Sequence, residues 1–173
     1  MRYRTQSGTV SLVTQPTEPT TAGAPTLEAG SLEQAGAFVV VAGLILQEIS
    51  GARVTGYIDL SAEHHTPWGI VHGGVYSTAI ETAASIGAST AVKERGEVAV
   101  GLTNTTHFLR SVTSGRVRVE AVALNQGRTQ QLWRVDIEND SGKLVAHGEV
   151  RLQNVTASAA TPDGAATDTK GEV

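Results

Sequence analysis

Cysteine is absent from the 173 residues, which excludes a disulfide framework, a thiolate metal site and a cysteine nucleophile, and leaves the redox compartment unspecified. Aromatic side chains are scarce, with two Trp, three Tyr and two Phe, so a core here is filled mainly by aliphatic groups. No apolar run is long enough to cross a bilayer. The longest, Ala35 to Leu46, is broken by Gly36 and Gly43 and falls short of the ~20 residues that a spanning helix needs. Basic excess is missing too, since the net charge is −4 and a nucleic-acid-binding domain is expected to be basic. The apolar patch Val10 to Val13, behind Arg2 and Arg4, is shorter than the ~7 residues of a signal-peptide core. The chain is therefore expected to form one domain, in the cytoplasm, without a membrane or nucleic-acid partner.

Composition divides the sequence into three parts. Residues 1–31 hold ten Ser or Thr and three of the five prolines, a profile that cannot offset its ordering entropy by burial, and a disordered tail is expected there. The same composition returns over residues 156–173, a second expected tail. Residues 32–155 form the expected folded unit. Within it, Leu32 to Val41 reads as a short helix ended by Gly43. Leu44 to Ile49 and Arg53 to Leu60 read as a hairpin around Ser50-Gly51-Ala52. Gly74 to Val92 is the one long helix candidate, rich in alanine and free of proline. Four strand-like runs follow: Val98 to Leu109, Arg116 to Leu124, Gln130 to Glu138 and Lys143 to Gln153. A single long helix and an antiparallel meander give an α+β class and disfavour a parallel sheet, whose crossover helices are missing.

Chemistry concentrates on that helix. Its apolar positions mark one face, and the opposite face carries Ser77, Thr78, Glu81, Ser85 and Ser89, small polar groups unlike a solvated face. A helix covered on nearly all sides by a curling sheet is expected, with Ala79, Ala83 and Gly87 admitting close strand backbone. Between His72 and Lys93 the only formally charged side chain is Glu81. On a covered helix such a carboxylate is either a tuned functional group or one that emerges at a solvated rim, and spacing leaves both open. His72-Gly73-Gly74 precedes the helix, where the first N–H groups lack internal acceptors and the dipole favours a developing oxyanion; glycine as plain turn punctuation also fits. One helix cannot aim its N-terminal amides and a side chain two turns later at the same atom, since they lie ~12 Å apart along the axis. Two antiparallel copies in a symmetric dimer can.

The run Thr66-Pro67-Trp68-Gly69-Ile70-Val71-His72-Gly73-Gly74-Val75-Tyr76, with Glu81 nine residues after the histidine, resembles the signature of hotdog-fold acyl-CoA thioesterases. The likeness continues through VAVGLTNTTHFLR (98–110), GRVRVEAVALNQGRTQQLWRVDI (115–137) and DSGKLVA (140–146). It is nearest to the Arthrobacter-type 4-hydroxybenzoyl-CoA and 1,4-dihydroxy-2-naphthoyl-CoA thioesterases, within the phenylacetate-degradation group. The resemblance implies a hotdog fold, with a long central helix wrapped by a curved antiparallel sheet of five to six strands. It implies that the Gly73 N–H polarises the thioester carbonyl, that His72 shapes this pocket, and that Glu81 of the facing subunit acts as nucleophile or as general base. Ser85 would orient the carboxylate or the water, Arg110 would reach the CoA phosphates, and Arg128 with Thr129 would meet the nucleotide end. Where relatives carry glutamine this chain has Thr66, so Thr66 or His65 would hold the thioester instead. The implied catalytic unit is a homodimer, assembled into a homotetramer. No cofactor is implied, because CoA belongs to the substrate.

Other chemistries have less support. His64, His65, His107 and His147 lack the spacing of a zinc site, so no metal is expected. A Gly-x-Ser-x-Gly elbow is missing, which counts against an α/β-hydrolase. Arg116, Arg118 and Glu120 alternate as one solvated strand face. Two alternatives share the fold: acyl-CoA binding without hydrolysis, to which Thr66 lends support, and enoyl thioester hydration, whose residue pattern is missing.

Overall fold

The computed structural model describes residues 37–159. The expected tail at residues 1–31 lies outside them, as does the second tail beyond residue 159. Strand and turn continue to Ala159, past the boundary expected at 155. A short helix α1 (Ala37–Val41) leads into the hairpin β1 (Leu44–Ile49) and β2 (Arg53–Leu60), then the long helix α2 (Gly73–Val92). Strands β3 (Glu97–Phe108), β4 (Gly115–Gln126), β5 (Gln130–Asn139) and β6 (Leu144–Thr156) complete the α+β unit.

All six strands form one antiparallel sheet, ordered β1-β2-β4-β5-β6-β3. The expected meander holds for β4, β5 and β6, but β3 lies outside it at the far edge. Helix α2 explains the difference: it carries the chain across the inner face of the sheet, so β3 starts at the edge opposite β1 and β4 inserts beside β2.

Local chemistry sets the ends of α2. The His72 Nδ1 accepts the Gly74 N–H at 2.8 Å and caps the start, which requires the proton on Nε2. Gly96, at φ 67°, turns the chain after the last helical turn. The inner helix face (Ala79, Ile80, Ala83, Ala84, Ala88) packs against Val117, Val119, Val135, Ile137 and Leu152 of the sheet, all buried. Gly87 differs from the expectation: it admits the Trp133 indole, not strand backbone, and a β-carbon there would strike that ring. One fully buried Trp133 thus fills much of the space that an aromatic-poor sequence leaves.

The sheet wraps one face of α2 only. Ser77, Thr78, Glu81, Thr82 and Ser85 stay partly exposed in the single chain, which corrects the expected coverage on nearly all sides. Along the edge strand β3 the side chains of Val100, Leu102 and Phe108 are exposed, with Leu109 just beyond it. The outer sheet face carries its own ion pairs: Glu48, Arg53 and Glu120; Asp59 and Arg116; Arg118 and Glu138; Arg134 and Asp136, the last also hydrogen-bonded to His147. Such exposed pairs add little stability individually. Two hydrogen bonds from Arg116 hold the Asp59 carboxyl below its usual range.

Candidate functional site

Two clefts flank α2. The larger, of about 630 Å³, opens at the helix N-terminus and collects Thr66, Trp68, His72, Gly73, Phe108 and Arg110. The smaller, of about 270 Å³, is bounded by Phe38, Ser77, Thr78, Glu81 and Thr82. The implied site residues are therefore divided. Thr66, His72, Gly73 and Arg110 share one cleft; Glu81 with Ser85 belongs to the other; Arg128 and Thr129 lie on the β4–β5 turn near the opposite helix end. Eight residues of helix separate Gly73 from Glu81, or ~12 Å along the axis.

In the larger cleft, the Gly73 N–H enters none of the backbone hydrogen bonds around the helix start. It is one of the donors that a helix N-terminus leaves unpaired, where the dipole favours negative charge. The far end of the Phe108 ring lies so close to Gly73 that a β-carbon there would come within 2.9 Å of it, so glycine is required for the aromatic wall to close. Arg110 is exposed, and its guanidinium has no carboxylate partner among the described residues. The Thr66 hydroxyl donates to Ile70 O at 3.1 Å and closes its own turn. His65 Nε2 meets Thr113 O at 2.6 Å, a bond in which the ring must donate. Both side chains considered for holding the thioester are thus engaged within the chain.

Tyr76 forms part of the wall of this cleft. It is buried, and its hydroxyl has no hydrogen-bond partner among the described residues. Burial pushes the phenol up to about 12, so it stays protonated at neutral pH. An orphaned buried hydroxyl costs about 1–3 kcal/mol. Tyr76→Phe is expected to leave the fold intact and raise the thermal midpoint by a few degrees, measured by circular dichroism; a lowered midpoint shows that a partner subunit satisfies the hydroxyl.

At Glu81 the carboxylate is held by groups from two elements. Ser85, one turn on, donates to Oε1 at 3.4 Å, and Asn104 Nδ2 on β3 donates to Oε2 at 3.0 Å. The Asn104 amide cannot swing freely, because Thr106 Oγ1 donates to its Oδ1 at 2.8 Å while Nδ2 also bonds Ser77 O at 3.2 Å. Gly101 on β3 completes the seat; a β-carbon there would strike Glu81 Oε1. The carboxylate is half-buried and aimed, but its cleft stays open on one side. Asn104, Thr106 and Gly101 were missed in the sequence reading. The available signal was Gly101 itself, since glycine inside a strand often marks close approach of another group.

No group of three or more His, Asp or Glu able to hold a metal occurs among the described residues. His107 and His147 stack with ring centroids 6.3 Å apart, and His147 Nδ1 binds Asp136 at 2.6 Å on the outer face. No helix of the described residues is long and apolar enough to cross a membrane.

Comparison with known proteins agrees with this architecture. Residues 69–146 match the family model described as the thioesterase superfamily. Rv1847 of Mycobacterium tuberculosis, provisionally named an esterase, is 41% identical over 117 residues, covering 66% of this chain and 84% of the relative. Its solved structure superposes with a TM-score of 0.68 at 40% identity, over 69% of this chain and 97% of that one. A 1,4-dihydroxy-2-naphthoyl-CoA hydrolase of Listeria monocytogenes is 30% identical over 103 residues, covering 60% of this chain and 83% of the relative. The structure of thioesterase HI1161 of Haemophilus influenzae gives a TM-score of 0.69 at 28% identity, over 76% of this chain and 93% of that one. The six-stranded sheet around one helix is the hotdog fold, and on sequence and architecture together the chain belongs to the thioesterase superfamily, as a thioester hydrolase.

Proposed function

We propose that the protein hydrolyses an aryl- or medium-to-long-chain acyl-CoA to the free acid and CoA, in sites that each draw on two subunits. Water adds to the acyl carbon, the carbon–sulfur bond breaks, and the thiol leaves with a proton. The Gly73 N–H of one subunit polarises the thioester carbonyl. Glu81 of the other attacks the acyl carbon or takes a proton from water. The supporting observation is the separation of these groups on a single helix, each in its own open cleft. The exposed apolar side chains along β3, an edge strand with unpaired backbone, offer the surface on which a second copy would join. A dimer of this kind is the catalytic unit, with a homotetramer as the larger assembly.

The named activity of the Listeria relative supports a CoA thioester of an aromatic acid as the first substrate to test. Free-thiol release measured across aromatic, short-chain and long-chain CoA esters tests the proposal, and no release from any of them defeats it. Thr66 favours one competitor, acyl-CoA binding without turnover, because its hydroxyl is committed to Ile70 O. Tight binding with no thiol released identifies that case.

Gly101→Ala is expected to lower kcat by about 10²-fold, because the added methyl displaces the Glu81 carboxylate and small misplacements at a reacting centre cost that much. The unfolding midpoint should stay near wild type, as Gly101 is exposed. Steady-state kinetics beside a melting curve separates the two effects.

A further inference from the structure

Asn154, buried on β6, grips the β4–β5 turn from inside. Its Nδ2 donates to two successive turn carbonyls, Gly127 O at 3.2 Å and Arg128 O at 3.1 Å. Its backbone N–H donates to a third, Thr129 O, at 2.8 Å. Arg95 Nη2, just after helix α2, reaches the same Arg128 carbonyl at 3.4 Å. The amide of Asn154 is oriented in turn: its Oδ1 accepts from Gln131 Nε2 at 2.8 Å. Gln131 is fully buried, donates to Ala88 O at 2.9 Å, and accepts from Trp133 Nε1 at 3.1 Å. Reversing the Asn154 amide would set two donors against each other, so its NH₂ group must face the turn.

In a trans peptide the carbonyl of one residue and the N–H of the next point in opposite directions. With the Gly127 and Arg128 carbonyls drawn inward, the N–H groups of Arg128 and Thr129 are directed outward. Neither N–H donates to an acceptor among the described residues. The exposed Arg128 guanidinium and Thr129 hydroxyl stand beside them. Adjacent outward amides with a guanidinium and a hydroxyl are the chemistry that receives a phosphate.

We propose that Asn154 is the positioning residue of this turn, oriented by Gln131 and assisted by Arg95: it holds the Arg128 and Thr129 amides outward, beside the two side chains that the resemblance implies for the nucleotide end of CoA. This rests on the CoA-thioester reading above. It adds to the role implied for the Arg128 and Thr129 side chains a buried group 26 residues away that aims the backbone between them.

The test titrates wild type, Asn154→Leu and Arg95→Gln with CoA and with pantetheine, which lacks the phosphates, by calorimetry. Wild type is expected to prefer CoA. Asn154→Leu should reduce that preference about tenfold, equivalent to about 1.4 kcal/mol, and Arg95→Gln about threefold. Equal losses for both ligands would reveal a merely structural role and overturn the proposal, as would an unchanged preference or a wild type that does not distinguish CoA from pantetheine. Circular dichroism checks folding; should Asn154→Leu not fold, the exposed Arg95→Gln decides alone. Wild type that prefers CoA yet releases thiol from no ester defeats the hydrolase reading and leaves the turn standing. Turnover without CoA preference does the reverse.

Discussion

Glu81→Gln lowers kcat by about 10²–10⁴-fold, the span associated with losing a positioned base, while the protein stays folded. Glutamine keeps the size of the side chain and leaves an amide oxygen for the Asn104 donor, so the change falls on charge and proton affinity alone. The proposed two-subunit site makes a sharper forecast. Gly73→Ala crowds the Phe108 ring and should also inactivate. When the two inactive variants are unfolded and refolded together, heterodimers contain one site with an intact Gly73 and an intact Glu81. Activity is then expected to recover to about a quarter of wild type, since half the dimers are mixed and each has one good site. A site built within one chain would show no recovery. Single turnover in ¹⁸O-labelled water tests the nucleophilic role of Glu81: label in its carboxylate requires an anhydride opened by water at the Glu81 carbonyl, whereas label in the released acid arises from a general base or from water attacking the acyl side of that anhydride.

Trp133→Ala should be the most destabilising single truncation, at about 3–5 kcal/mol. Trp133 is fully buried, its ring lies against Gly87, and its Nε1 is hydrogen-bonded to Gln131, so the loss combines a cavity with a broken polar contact. Gly87→Ala is expected to cost about 1–3 kcal/mol in the wild-type background by overpacking the same ring. In the Trp133→Ala background the added methyl enters vacated space, and its cost should largely disappear. Urea unfolding followed by far-ultraviolet circular dichroism measures all four corners of the cycle; additive losses would mean that the ring and the glycine do not share their space.

Period-2 alternation and turn residues were enough to read all six strands and the long helix, because those signals are local. Ser50-Gly51-Ala52 marked the hairpin, and the alanine-rich stretch before Gly96 marked the helix. The edge position of β3 was not legible, since no residue within β3 records that α2 has carried the chain across the sheet. Coverage of the helix was overestimated for a related reason: the small polar side chains Ser77, Thr78 and Ser85 suggest close approach by another group, but in the single chain they stay partly exposed. Glu81 and Gly73 stood out as a lone charge and a paired glycine. Asn104, 23 residues from Glu81, and Asn154, 26 from Arg128, are polar strand residues like many others until the fold sets them against their partners. Thr66 was read as a ligand-facing group, and the tight turn to Ile70 takes its hydroxyl instead.

The two tryptophans sit at opposite extremes of exposure, 0% for Trp133 and 83% for Trp68. Trp68 borders the larger cleft. Their fluorescence therefore separates by environment: Trp133 emits from an apolar interior, shielded from dissolved quenchers, and Trp68 emits from water and is open to them. Iodide should quench only part of the native signal, and that part should shrink when a ligand enters the cleft. Unfolding should shift the protected part instead. The molecule thus contains separate optical reporters of occupancy and of integrity, with no label attached.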